Sequence, residues 1–158
     1  MNAALAAPST AHGDFTIDRV YDAEPREVWT AWTDPAVKAR WFIGPEGWAE
    51  VERTLDVRVG AVEILRGRFA HNGFETLFTG RYHLVEPGAR LVYVYDMHLA
   101  GKHHSVSVAT VEFIADGART RLRFTEQVTF VDGTDGREGT ASRQRGTAAH
   151  LDRIPALL

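Results

Sequence analysis

The sequence predicts one α+β domain, in which a pair of short helices faces a large antiparallel sheet and a further helix closes the chain. Three observations predict it. Ala23 to Phe42 carries three tryptophans at helical spacing and two proline-led helix starts. From Trp48 to Phe130 the chain alternates apolar and polar residues between turn signals, which with an N-terminal strand makes about seven strands in hairpin succession. From about Arg137 the alternation ceases, and Ala141, Ala148, Leu151, Ile154 and Leu158 follow a helical stripe.

Composition narrows the function classes. The chain has 158 residues, the size of one domain with a sizeable core, and its 44% apolar and 25% charged content is that of a globular protein. A net charge of -3 without basic clusters gives no nucleic-acid footprint. The absence of cysteine excludes disulfides, thiol nucleophiles and zinc–thiolate sites, and fits a reducing, cytoplasmic setting. No stretch is long and apolar enough to span a bilayer, so no membrane role is expected. Residues 1–13, MNAALAAPSTAHG, are small and polar and lack a signal-peptide pattern; they are read as a disordered leader to a single domain over residues 14–158.

Taken in order, Phe15 to Tyr21 alternates as strand one, with Phe15, Ile17, Arg19 and Tyr21 on one face. Pro25 suits the first turn of a helix whose stripe is Val28, Trp29 and Trp32. Asp34 and Pro35 are N-cap and first residue of a second helix, in which Val37 and Trp41 repeat the i, i+4 spacing before Gly44–Gly47 stops it. Trp48 to Val57 and Ala61 to Phe69 form a hairpin, and Asn72–Gly73 is a turn that tolerates positive φ. Glu75 to Val85 follows, with Phe78, Gly80, Tyr82 and Leu84 on one face. Arg90 to Leu99 is apolar on both faces in its first half, which predicts a central strand at least partly covered on both sides. Ser105 to Ile114 and Arg119 to Phe130 alternate, the latter with Leu122, Phe124 and Glu126 of one parity. The C-terminal helix must pack on the sheet, since it is not stable alone.

These residues carry a resemblance. Arg19, Ala23, Pro25, Val28, Trp29, Thr33, Asp34, Pro35 and Trp41 give a degenerate APxxVWxAWTDPxxxxxWF pattern. Gly80 with Tyr82, Glu86–Pro87, Arg90–Leu91–Val92–Tyr93, Thr120–Arg121–Leu122 and Leu151–Asp152–Arg153 extend it over nearly the whole chain. The pattern resembles the SRPBCC (START-like, Bet v 1-like) superfamily, and within it the branch related to the Hsp90-ATPase activator C-terminal domain. The resemblance implies a helix-grip fold: a sheet wrapped around a long C-terminal helix, two short helices closing one end, and a cavity for a small hydrophobic or aromatic molecule. Two departures stand out. The last helix of such proteins often carries a Trp after its Gly, but Gly146 is followed here by Thr147. Pro155 falls within that helix, which predicts a kink or an early end and a more open cavity mouth.

Against that frame, the expected cavity residues are Trp41, Phe42, Tyr82, Tyr93, Tyr95, Val111, Phe113, Phe124, Glu126 and Leu151, with core packing as the competing role for the aromatic ones. Glu126 is the one catalytic candidate: an inward carboxylate would be desolvated and its pKa raised, as a general acid or base needs, whereas at an open strand end it would be solvated. Arg19, on an apolar face, needs a partner, either a ligand anion or an acid such as Glu126. Asp96 and His98 share a strand face beside His103 and His104, but two ligands do not make a metal site, so no metal and no cofactor is expected. Ser105 and Ser107 lack evident His–acid partners, and no phosphate loop, GxSxG or HExxH pattern occurs. The leading expectation is non-enzymatic binding of a small hydrophobic or aromatic molecule. A polyketide cyclase or aromatase-like enzyme and a co-chaperone-like interaction module stand as alternatives, and a homodimer through a sheet edge or the helical end is compatible with the pattern.

Overall fold

The structure, a computed structural model, describes residues 9–158. Seven antiparallel strands form one sheet: β1 (Ala11–Tyr21), β2 (Trp48–Thr54), β3 (Val62–Phe69), β4 (Glu75–Glu86), β5 (Arg90–Leu99), β6 (Lys102–Asp116) and β7 (Arg119–Phe130). Their spatial order is β1-β7-β6-β5-β4-β3-β2, so hairpins run from β2 to β7 and the first strand pairs with the last. Helices α1 (Pro25–Thr33) and α2 (Pro35–Trp41) bridge the two sheet edges, and α3 (Gly136–Leu151) crosses the same face. This is the α+β helix-grip arrangement.

The local chemistry explains the helix boundaries. Glu24 and Glu27 make a capping box at the start of α1, with Pro25 in the first turn. Asp34 ends α1 and starts α2, its carboxylate accepting the amides of Ala36 and Val37 at 2.9 and 3.2 Å. The helix α3 stops at Leu151, and Pro155 lies in a separate 3-10 turn, Ile154–Leu157. The early end expected from that proline is what the chain does.

Three expectations change. The first strand begins at Ala11, so residues 11–13 pair with β7 instead of belonging to a leader; residues 1–8 lie outside the described residues. The strand β5 is covered on one face only: Leu91, Tyr93 and Tyr95 are buried, whereas Val92 and Val94 point to the outer face and are half-buried, because all three helices lie on the other side. The register of β4 shifts between Tyr82 and Leu84, and Val85 then lies opposite the fully buried Leu91. Val85, not Leu84, therefore continues the inner face beyond the bulge.

The core occupies the half of the sheet beneath α1. Val28, Val111 and Leu122 are inaccessible to solvent, and Ala31 and Trp32 nearly so. Trp29 packs edge-on to Phe113 at 5.2 Å, and Trp32 meets Trp41 at 4.7 Å. Each such aliphatic side chain contributes roughly 1.5–3 kcal/mol by leaving water.

Candidate functional site

Under α3 the same sheet face is not filled. A cavity of about 630 Å³ lies there, bounded by Trp32 of α1, α2 and the loop after it, strands β2 to β7 and α3. Its aromatic wall includes Trp41, Phe42, Trp48, Phe78, Tyr93 and Tyr95. Its helical wall is made of Gly139, Ser142, Arg143, Gly146, Thr147 and His150. The cavity exists because α3 offers small residues where a core helix would offer leucines. A Cβ built at Gly146 meets nothing within 4 Å, whereas one at Gly139 comes within 2.8 Å of Thr134 and Phe130.

Of the residues expected around such a space, Trp41, Phe42, Tyr93, Tyr95, Phe124, Glu126 and Leu151 line it. Val111 and Phe113 do not; they lie on the half of the sheet filled by α1, where Phe113 contacts Trp29 and Trp32. Tyr82 also stays off the wall, its hydroxyl donating to Glu63 at 2.8 Å.

Two buried polar clusters flank the aromatic wall. In the first, Glu126 is inaccessible to solvent. The Tyr95 hydroxyl lies 2.8 Å from both of its carboxylate oxygens, and Ser107 Oγ donates to Oε2 at 2.8 Å. Arg143 reaches down from α3 and donates to Oε2 at 3.1 Å, to the Tyr95 hydroxyl at 2.8 Å and to Ser105 Oγ at 2.7 Å. Burial pushes the Glu126 carboxyl up, against the pull of Arg143, Ser107 and Tyr95. The guanidinium is held charged by Tyr95 and Glu126 despite its own desolvation.

Sequence reasoning did not anticipate the second cluster. Lys38 of α2 is 3% exposed; its Nζ donates to Glu63 Oε1 at 2.8 Å and lies 3.4 Å from the Tyr82 hydroxyl. The rings of Trp32, Trp41, Phe42 and Tyr93 surround the ammonium at 4.9–6.0 Å. Burial drives its pKa down, against the opposing pull of Glu63. A signal for it was present: Lys38 precedes Trp41 by three, and so shares its helix face, while Glu63 shares strand parity with Leu65.

Other candidates fall elsewhere. Arg19 pairs with Asp152, Nε to Oδ1 at 2.7 Å, so the arginine at Glu126 is Arg143. Ser105 and Ser107 are buried members of the Glu126–Arg143 cluster. His98 stacks on His103 at 4.7 Å, His103 Nε2 lies 3.9 Å from Asp96, and His104 turns to Asp132 at 2.7 Å. Among the described residues no group of three or more His, Asp or Glu side chains is placed to hold a metal.

The mouth is clamped at the C-terminal end of α2. His150 Nε2–H donates to the Ile43 carbonyl at 3.0 Å, and Arg153 donates to the Trp41 and Ile43 carbonyls at 3.2 and 3.0 Å. Burial and nearby Arg153 push the His150 imidazole down to about 4, so it is neutral at pH 7.

An antiparallel sheet gripping a helix across a polar-edged aromatic cavity defines a helix-grip protein of the SRPBCC superfamily. Within it, residues 22–158 match the family model described as "Activator of Hsp90 ATPase homolog 1-like protein", and the chain belongs to that family. Among solved structures it is similar to a protein from Rhizobium loti, with 35% identity, a TM-score of 0.84, and 95% of this chain and 99% of that one covered. It is also similar to an uncharacterized protein from Rhizobium leguminosarum, with 31% identity, a TM-score of 0.87, and 96% and 97% covered. An AHSA1-like protein from Aeromonas hydrophila, 23% identical, shares the fold with a TM-score of 0.67 over 92% of this chain and 94% of that one. No curated protein matches the chain.

Proposed function

We propose that the protein binds a small hydrophobic or aromatic molecule in the cavity between sheet and α3. The observation that carries this reading is the 630 Å³ space itself, walled by aromatic side chains on one side and by glycine, serine and threonine on the other. A volume of this order falls in the range of about 300–1,000 Å³ used by small-molecule sites. Native mass spectrometry of the purified protein beside a denatured sample tests it. A retained small molecule that is released on denaturation supports the reading. No retained mass, with no thermal shift across a panel of apolar and aromatic compounds, counts against it.

One observation favours an enzyme of the cyclase type: Glu126 is buried, its carboxyl is pushed up, and a tyrosine hydroxyl lies 2.8 Å away. Against it, Glu126 is inaccessible to solvent and already accepts from Tyr95, Ser107 and Arg143. A co-chaperone-like role, which the family's description suggests, would call for a filled interior and an exposed apolar patch. The unfilled space under α3 favours a ligand instead.

A further inference from the structure

We infer that the cavity selects an uncharged aromatic molecule carrying a hydrogen-bond acceptor oxygen, a ketone, ester or amide carbonyl, and that the Tyr93 hydroxyl donates to it. This rests on the ligand-binding reading above and specifies the ligand's chemistry.

Tyr93 lines the cavity and is 6% exposed, yet its hydroxyl has no hydrogen-bond partner among the described residues. The Tyr93 hydroxyl opens onto the cavity and is not sealed in the core, so a ligand atom can be its partner. Burial also keeps that hydroxyl protonated at neutral pH, and therefore a donor. Trp32, also on the wall, has a fully buried indole N–H with no partner. Lys38 Nζ has three N–H groups and two polar neighbours, Glu63 and Tyr82; its remaining direction faces rings. A phenol hydroxyl is a better donor than acceptor, so a ligand acceptor is the best match for Tyr93.

The two buried carboxylates are engaged. Each oxygen of Glu126 receives at least one hydrogen bond, and Glu63, which bonds Lys38 and Tyr82, does not line the cavity. The acceptors left to a ligand donor lie on the α3 side, at Glu138, Ser142, Thr147 and His150 Nδ1, and not on the aromatic wall.

Charge excludes the ionic versions. Lys38 is neutralised by Glu63 and Arg143 by Glu126. His150 is neutral, the Asp132 carboxylate offsets any charge His104 carries, and the exposed Glu138 carboxylate at the edge adds a negative charge. An anionic ligand would be desolvated without an uncompensated cation to meet it, and a cationic one would find the aromatic cage already holding Lys38.

A matched series tests this on the intact protein: 4-acetylbiphenyl, 4-ethylbiphenyl and biphenyl-4-carboxylate, titrated calorimetrically against the wild type and Tyr93→Phe. The same ring system thus carries an acceptor, no polar atom, or a charge. In the wild type the ketone should bind most tightly and the carboxylate at least about tenfold more weakly. Tyr93→Phe should lower the ketone-to-hydrocarbon affinity ratio about fivefold, the worth of one hydrogen bond, while hydrocarbon binding persists and so reports an intact fold. A ratio unchanged by Tyr93→Phe, or a carboxylate that binds best, overturns this inference and leaves the cavity reading standing. Should that variant fail to fold, the wild-type order alone decides, since a ketone no tighter than the hydrocarbon has the same consequence. Failure of all three to bind the wild type overturns both.

Discussion

The two halves of the inner sheet face are built from the same strands and end differently. Beneath α1, Trp29 meets Phe113 beside the fully buried Val28, Val111 and Leu122, and the space is closed. Beneath α3, Gly139, Ser142, Gly146 and Thr147 face Phe78, Tyr93 and Tyr95 across an open cavity. The sheet side is equally aromatic in both halves. Side-chain size on the covering helix therefore decides whether a concave face becomes core or site. What stabilises the helix also differs: α1 is held by apolar packing, whereas α3 sends down Arg143 to a buried carboxylate and His150 to a backbone carbonyl, joined by Arg153 just after its end.

The sharpest way to break that contrast is to truncate the closed half. Leu122→Ala should cost about 2–5 kcal/mol in urea unfolding, because its rigid neighbours beneath α1 cannot collapse into the void. Met97→Ala, on the cavity wall, should cost about 1 kcal/mol, since its side chain already borders empty space. Equal losses would show that the two halves do not differ in packing.

On the open side, Arg143→Leu should cost about 3 kcal/mol at neutral pH by stranding the Glu126 carboxylate. The sign of its pH dependence follows from the raised Glu126 carboxyl. Above the folded pKa the variant carries an uncompensated buried charge; as pH falls through that value the folded state takes up a proton and the deficit shrinks. Denaturation midpoints of the two proteins measured from pH 8 downward should therefore converge.

A smaller effect belongs to His150. Its imidazole is pushed down to about 4 from an ordinary value of 6.5. The unfolded chain therefore binds a proton first, so stability is full above pH 6.5 and falls as pH drops toward 4, by on the order of 2 kcal/mol. His150→Gln should flatten that part of the stability–pH profile; an unchanged slope would assign it to other groups.

The smallest test compares two glycines of α3. Gly146→Ala should raise stability by about 0.5–1 kcal/mol, as expected for a helix interior with open space at Cβ. Gly139→Ala should lower it, since its Cβ would press on Thr134 and Phe130. Thermal midpoints that move together would remove the distinction.

Much of this was legible in the sequence, and the reasons are physical. Period-two alternation located every strand; β5 and β7 fall on their expected limits, because turn glycines and prolines bound them. The Asp34–Pro35 step is local chemistry and was readable as such. Non-local features escaped. The bulge after Tyr82 moves Val85 inward without a sequence mark. Apolar residues on both sides of β5 suggested double cover, but partial exposure of Val92 and Val94 satisfies the same pattern. Glu126 was placed inward by parity alone, yet its arginine was sought on β1. Arg143 was hidden among Arg137 and Arg145, although it lies on the line of Thr147 and Leu151 at i, i+4 and i+8. Lys38 drew no reading of its own, because a lysine is rarely buried unless paired, and its partner lies 25 positions away.

The central claim is that small side chains on α3 leave room for a ligand. Thr147→Trp fills that room and restores the bulky residue that the family pattern places after the glycine. The direct measurement is a titration of wild type and Thr147→Trp with the neutral fluorescent probe N-phenyl-1-naphthylamine, with circular dichroism confirming that both are folded. Saturable binding to the wild type, lost or weakened at least about tenfold in the folded variant, is the predicted result. Equal binding by both proteins, or none by the wild type, would contradict it.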